Sequence, residues 1–283
     1  MNQIDISESK RAVNTEENRD PLADWLARVQ VVMVRTSHPG NIGSAARAMK
    51  TMGLTKLCLL APDRFPHEEA TWLASGATDL LASARVVHDW PSAIGDSTIV
   101  IGASARNRRI PTPQLEPKTC ARLIRELSPG QRVSILFGRE ASGLDNEALD
   151  QCHYHLSVPA NPEYGVLNVA MAVQVVAYEI RQAFLETVSK SQTNTDAVRL
   201  PLAEVDWDVP LATQADTERF LVHLNETLIE LGFINPANPR QAMRRFRRLF
   251  QRLHMDEMEV SLLRGLLTAV NKQTASLKID TEN

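Results

Sequence analysis

Cysteine is scarce in this chain: only Cys58, Cys120 and Cys152 among 283 residues, odd in number and far apart. That excludes a disulfide framework and the paired spacings of a structural zinc site, and it suits a reduced, cytosolic protein. No apolar run is long enough to span a bilayer, and the first residues lack the apolar stretch of a secretory signal. Positive charge is not in excess either. The formal net charge is -3, so nucleic-acid binding has to be argued from a local patch, not from the whole chain. The common phosphate loops are also missing. There is no G-x-G-x-x-G after a strand, no Walker sequence and no G-x-S-x-G elbow, which removes the Rossmann, P-loop and α/β-hydrolase readings. His153 and His155 alternate as on a strand, but nothing nearby completes a ligand set, so no metal is expected.

Between these absences lies a regular alternation. Short Val/Ile/Leu-rich runs at 29–35, 56–60, 97–102, 132–137 and 155–158 read as strands buried on both faces of a parallel sheet. Helical patterns fall between them at 42–52, 67–82, 117–127 and 145–150, and again at 167–186, with Gly53 as a C-terminal cap for the first. The 167–186 helix is apolar on more than one face, so either a second subunit or simply the sheet covers it. Residues 1–24 carry six acids and three bases and read as a flexible tail. Residues 25–187 form the α/β domain, and 188–215, rich in Ser, Thr, Asp and Pro, read as a linker. Residues 216–283 then read as a small helical extension: 217–231 capped by Asp216, 240–252 opened by Pro239, and 257–271 started by an Asp256/Glu259 capping box.

Three segments share one grammar of strand, glycine turn and helix. They are Val31 to Lys50, with Asn41, Gly43 and Arg47; Ile135 to Leu144, with Gly138, Arg139, Glu140 and Gly143; and Leu156 to Ala170, with Val158, Gly165, Leu167 and Asn168. In an open α/β sheet, ligands bind at the carboxyl ends of strands. Asn41 and Gly43 suit a tight turn and a cap; Ala45, Ala46 and Ala48 around Arg47 allow something to approach that helix closely. A glycine at 138 lets a ligand reach the backbone, and the charged pair Arg139–Glu140 straight after a buried strand is costly unless used or paired. The strand end at Gly102-Ala103-Ser104 leads to Arg106 in the same way.

The 240–252 helix carries Arg240, Arg244, Arg245, Arg247, Arg248 and Arg252 on one side, with no acid among them, and Met243, Phe246, Leu249, Phe250 and Leu253 on the other. The apolar side explains docking. The arginine side is either a solvated face with carboxylate partners such as Glu257 and Glu259 or a phosphate-contact face. Its one-sidedness, and the choice of Arg over Lys, favour phosphate.

These segments resemble the three motifs of the SPOUT methyltransferases: N-x-G-x-x-x-R at Asn41, Gly43 and Arg47; F-G-x-E-x-x-G-L at Phe137, Gly138, Glu140, Gly143 and Leu144; and L-N-V-A at Leu167 to Ala170. The resemblance covers 28–187 strongly and extends over 216–271. It implies an α/β fold of SPOUT type: a mostly parallel sheet with a C-terminal trefoil knot, plus the helical extension. It implies S-adenosyl-L-methionine as methyl donor, held by Ala103, Ser104, Gly138, Glu140, Val158, Ala160, Leu167 and Asn168. It implies a homodimer that shares its active site, and a tRNA substrate methylated on the ribose 2′-oxygen of a C or U in the anticodon loop, at position 32. Arg47, Asn41 and Glu140 are the implied catalytic group. The family often treats this arginine as a base, but a guanidinium stays protonated, so Arg47 is expected to stabilise the developing alkoxide or clamp the phosphate, oriented by Asn41 and Glu140. Arg106, Arg139, Arg240, Arg244, Arg245 and Arg248 would hold RNA. One departure stands out: Val166 replaces the Ser that many relatives have before the Leu-Asn of motif three. The rival readings are a ribosomal-RNA methyltransferase, a non-catalytic RNA-binding protein on the same scaffold, and a helical DNA-binding module attached to an enzyme. Neither membrane nor DNA is expected as a partner.

Overall fold

The computed structural model describes residues 21–104, 113–128, 130–189 and 209–282. Its centre is a seven-stranded sheet in the order β3-β2-β1-β6-β4-β7-β5. The strands are β1 (Val29–Val34), β2 (Lys56–Leu60), β3 (Arg85–Val87), β4 (Ile99–Ala103), β5 (Gln114–Leu115), β6 (Val133–Phe137) and β7 (Tyr154–Leu156), and every pairing between neighbours is parallel. The five expected strands are the five inner ones, β2, β1, β6, β4 and β7. The two missed, β3 and β5, are edge strands of three and two residues, too short to show a period.

Alternation along each strand divides the core into two layers. Val31 and Met33 of β1, Ile99 and Ile101 of β4 and Ile135 and Phe137 of β6 point into one layer. Val32, Val34, Val100 and Leu136 point into the other. The first layer is covered by α1 (Pro21–Leu26), α2 (Pro39–Met52), α6 (Pro117–Glu126) and α8 (Val169–Ser189). Broken helix α3 (Glu68–Ala74), a 3-10 turn and α4 (Thr78–Ala82) lie beyond α2. The second is covered by α5 (Trp90–Ile94) and α7 (Asn146–Asp150). All three cysteines are buried, and burial pushes the Cys120 thiol up to about 12, which makes it an inert packing group.

Several local expectations change. The single helix read at 67–82 is interrupted because Ser75 adopts a left-handed φ of 52°. Helix α2 begins at Pro39, which presets the first-turn φ, three residues earlier than the apolar period indicated. Gly53 does cap it, at φ 85°. Residues 21–26 form a helix with Trp25 and Leu26 buried, so the last part of the expected tail belongs to the folded domain; residues 1–20 lie outside the described residues.

The helical extension comprises α9 (Gln214–Glu230), α10 (Ala242–Leu253) and α11 (Glu257–Glu282) around Phe220, Leu221, Leu224, Met255, Val260 and Leu267. Thr213, not Asp216, is the N-cap of α9; Asp216 closes the capping box from the third position. The Asp256/Glu259 box forms as expected. Part of the expected linker is docked: the Gln214 and Ala215 amides donate to Ser97 and Gly95 carbonyls at 2.8 and 3.1 Å, while 190–208 lie outside the described residues. The His254 ring stacks on His153 and Tyr154, and its Nε2 is 2.9 Å from the Tyr154 hydroxyl. Burial holds His153 neutral, its pKa lowered to about 3. Among the described residues no helix is long and apolar enough to cross a membrane.

Candidate active site

The sheet ends of β4, β6 and β7 open onto a cleft of about 260 Å³, walled by Ala103, Ser104, Phe137 to Gly143, Leu156, Val158, Gly165 to Leu167, Val169 and Ala172. Six of the eight residues expected around the donor line it: Ala103, Ser104, Gly138, Glu140, Val158 and Leu167. Ala160 is exposed outside it. Asn168 is not among the residues of the wall; its Oδ1 accepts from the Ala170 amide at 2.9 Å, capping α8. Val166, in the place of the usual serine, lies on the cleft wall and is 75% exposed, so that wall offers an apolar surface and no hydroxyl.

Beside the cleft the three motifs meet in one hydrogen-bonded relay. The Asn168 Nδ2 donates to Asn41 Oδ1 at 2.9 Å, and Asn41 Nδ2 donates to Glu140 Oε1 at 2.9 Å. The Glu140 carboxylate also accepts from the Ser37 hydroxyl at 2.7 Å and from the Ser37 and His38 amides at 3.2 Å. These amides immediately precede α2, so the carboxylate occupies that helix's positive N-terminal end. Partial burial alone would raise the Glu140 pKa; the hydrogen bonds from Asn41, Ser37 and the backbone outweigh it and lower the pKa to about 2. Glu140 is thus a fixed anion at the cleft edge. Ser37 and His38 were not singled out from the sequence. The available signal was Pro39, which places the preceding amides at a helix start.

This geometry corrects two readings. Asn41 lies within the first turn of α2 and does not cap it; His38 is the N-cap residue, and Glu140 fills the turn before the helix. The glycines serve close packing more than ligand access. A Cβ on Gly138 would lie 2.1 Å from the Gly143 carbonyl carbon, and one on Gly43 would lie 2.1 Å from the Ala70 carbonyl oxygen. Gly138 therefore permits the tight 138–144 turn, closed by the Gly143 amide on the Arg139 carbonyl at 2.8 Å. Gly43 lets α2 and α3 touch backbone to backbone.

Arg47 is not oriented by Asn41 or Glu140. It lies six residues along α2 from Asn41, about 9 Å up the axis and about 240° around it. Its side chain is exposed and makes no hydrogen bond or ion pair among the described residues.

The other arginines divide. Arg139 pairs with Asp63 at 3.0 Å on the cleft rim. Arg244 is tied to Asp150 of α7 at 2.8 Å, where it helps dock the extension. Arg247 makes a bidentate contact with Glu218. The carboxylate partners of this helix are therefore Asp150 and Glu218, not Glu257 or Glu259. Arg248 buries its Nε. Arg240 sits before α10 in a left-handed turn, φ 52°, so it is not part of the helix. Arg240, Arg245 and Arg252 remain exposed. Arg106 lies outside the described residues.

A mostly parallel α/β sheet with this cleft and relay is the setting of a methyltransferase. The chain belongs to the SpoU rRNA Methylase family, whose model matches residues 28–178. Residues 215–279 match the model of the C-terminal domain of the tRNA methyltransferase TrmJ. The chain is 45% identical over 253 residues to the tRNA (cytidine/uridine/adenosine-2′-O-)-methyltransferase TrmJ of Pseudomonas aeruginosa (strain UCBPP-PA14), covering 89% of this chain and 97% of that protein. It is 45% identical over 247 residues to the tRNA (cytidine/uridine-2′-O-)-methyltransferase TrmJ of Photorhabdus laumondii (strain DSM 15139 / CIP 105565 / TT01), covering 87% and 98%. The crystal structure of TrmJ from Z. mobilis ZM4 superposes with a TM-score of 0.72 at 32% identity, covering 86% of this chain and 98% of that one.

Proposed function

We propose that this protein methylates the ribose 2′-oxygen of a pyrimidine in the anticodon loop of tRNA, at position 32, using S-adenosyl-L-methionine, and that it does so in the cytoplasm. The observation that carries this reading is the Asn168–Asn41–Glu140 relay at the edge of a strand-end cleft, in a chain 45% identical to tRNA 2′-O-methyltransferases. The trefoil knot and the 25–187 and 216–283 division belong to the same reading.

The cleft residues suit the donor. Small side chains at Ala103, Ser104, Gly138, Ala141, Ser142, Gly143 and Gly165 leave much of the wall to main-chain groups. Its volume is at the low end for small-molecule sites, which favours a compactly folded ligand. Glu140, held ionised, supplies negative charge near a sulfonium. When bound, the donor supplies an electrophilic methyl group. The protein's part is to align the hydroxyl with it and to exclude water.

The acceptor side is incomplete within one chain, because Arg47 faces away from the relay. We therefore assign Arg47 to the cleft of a second copy, in a homodimer that shares its sites. Helix α8 supports this. Its buried face carries Val173, Val176, Ala177 and Ile180, yet Met171, Tyr178 and Leu185 stay exposed at seven-residue intervals, an apolar stripe suited to another subunit. The exposed Arg240 and Arg245 then supply backbone contacts to RNA, and Arg244 and Arg248 contribute mainly by docking α10.

The test is transfer of tritiated methyl groups to unmodified tRNA transcripts, followed by nucleoside mapping. A labelled 2′-O-methylpyrimidine at position 32 supports the reading. Label confined to ribosomal RNA would replace it. Adenosine is mapped too, because the Pseudomonas relative's name includes it.

A further inference from the structure

At the opposite end of the strands from the cleft lies a second concavity, of about 520 Å³, at the amino ends of β1, β2, β3 and β6. Arg28, Lys56, Arg85 and Arg132 line it, and among the described residues Asp96 is the one carboxylate on its wall. Four cations face one anion, and Asp96 is engaged by Arg132 at 3.2 Å. The other two guanidiniums are held in place by neutral acceptors, with no carboxylate partner among the described residues. Arg28 donates to the Leu127 and Ser128 carbonyls at 3.1 and 3.0 Å and lies over the Trp25 ring. Arg85 donates to Gln30 Oε1 and to the Ser92 carbonyl. Lys56 is exposed at the first residue of β2.

Arg35, Arg139, Arg244 and Arg247, by contrast, each sit on a carboxylate, as does Lys50. Cations fixed by neutral acceptors in a concave surface keep their charge and spare donors available, which is the arrangement that binds an anion with little ordering cost.

We propose that this basin is a phosphate-binding site and that the phosphate it takes belongs to the backbone of the RNA substrate. The proposal rests on the tRNA reading above and extends it. Strands of five or six residues separate basin and cleft by about 17 Å, more than a single loop nucleotide covers. The basin therefore engages the RNA backbone a few nucleotides away from the methylated one. Free phosphate or a nucleotide offers the same chemistry, and the experiment separates the sources.

The variants are Lys56→Glu, at an exposed position without a partner among the described residues, and Arg85→Gln, each checked for an unchanged melting temperature in chloride. The expected result is a raised KM for full-length tRNA with kcat kept. The slope of log affinity against log salt should fall by about one for each phosphate that the variant no longer neutralises. In a second arm, inorganic phosphate at matched ionic strength should raise the melting temperature of the wild type and not of the variants. If the phosphate effect disappears in the variants but tRNA kinetics are untouched, the basin takes a free phosphate ligand and its assignment to RNA is overturned. If neither arm responds, the site itself is overturned. If the wild type transfers no methyl group to any tRNA, the functional reading fails, while the phosphate arm still decides whether the basin binds anions.

Discussion

Asn41 and Glu140, ninety-nine residues apart in sequence, share a 2.9 Å hydrogen bond in which the amide donates to the carboxylate. The other end of Asn41 is held by Asn168. The start of α2, the turn after β6 and the start of α8 are therefore locked together by side chains beside the cleft.

Glu140 gives the relay a pH dependence. Its folded pKa is about 2, below the ordinary 4.5. A carboxylate depressed on folding stabilises the native state fully above its unfolded pKa and loses that contribution as pH falls through the folded one. The window is thus from about 4.5 down to about 2. Glu140→Gln should flatten the acid-unfolding curve there, lower stability at neutral pH and abolish methyl transfer. Urea titrations across that pH range check the first two effects.

Arg47 should separate stability from activity. Because it is exposed and has no partner among the described residues, Arg47→Ala should leave the melting temperature unchanged while lowering kcat by about 10²–10³, the usual effect of removing a transition-state donor. Arg47→Lys should recover little, because a point charge cannot reproduce a forked contact. If Arg47 serves a second copy, mixing Arg47→Ala with Glu140→Gln protein and allowing exchange should restore part of the activity. Each mixed pair would carry one intact site. Absence of any recovery, with mixed dimers shown to form, would place Arg47 in its own chain's site.

Asn168 has two partners, so Asn168→Ala should do two things. Removing the α8 cap should cost about 1 kcal/mol, read as a lowered melting temperature. Removing the amide that holds Asn41 should free that side chain and lower kcat as well. Asn168→Ser keeps a capping oxygen and should recover most of the stability without the activity.

The two packing glycines make a steric prediction. Gly43→Ala must push α2 from α3, and Gly138→Ala must open the 138–144 turn, because each Cβ would meet backbone at 2.1 Å. A cost of about 1–3 kcal/mol or more is expected for each. Only Gly138→Ala should also weaken donor binding, measured by calorimetry, since its turn forms the cleft wall.

The sheet's inner strands were legible in the sequence because buried parallel strands read as unbroken Val/Ile/Leu runs. Placing Ala103, Gly138 and Val158 at strand ends followed from them. The edge strands β3 and β5 were not legible, because two or three residues carry no periodicity. The resemblance groups Asn41 with Glu140, but as residues that orient Arg47; the relay was not legible, because a turn residue and a relay residue look alike until Glu140 and Asn168 are brought next to it. The arginine face of α10 was visible as a pattern. Its division into docked and free residues depended on Asp150, 94 positions from Arg244, and on Glu218, 29 positions from Arg247, neither marked by local spacing.

The most direct measurement uses a full-length tRNA transcript carrying a single 2′-deoxynucleotide at position 32. The account predicts that it binds like the unmodified transcript but accepts no methyl group, since the reacting oxygen is gone. Undiminished transfer to that tRNA would show that the acceptor is a base atom or another nucleotide, and would contradict the account.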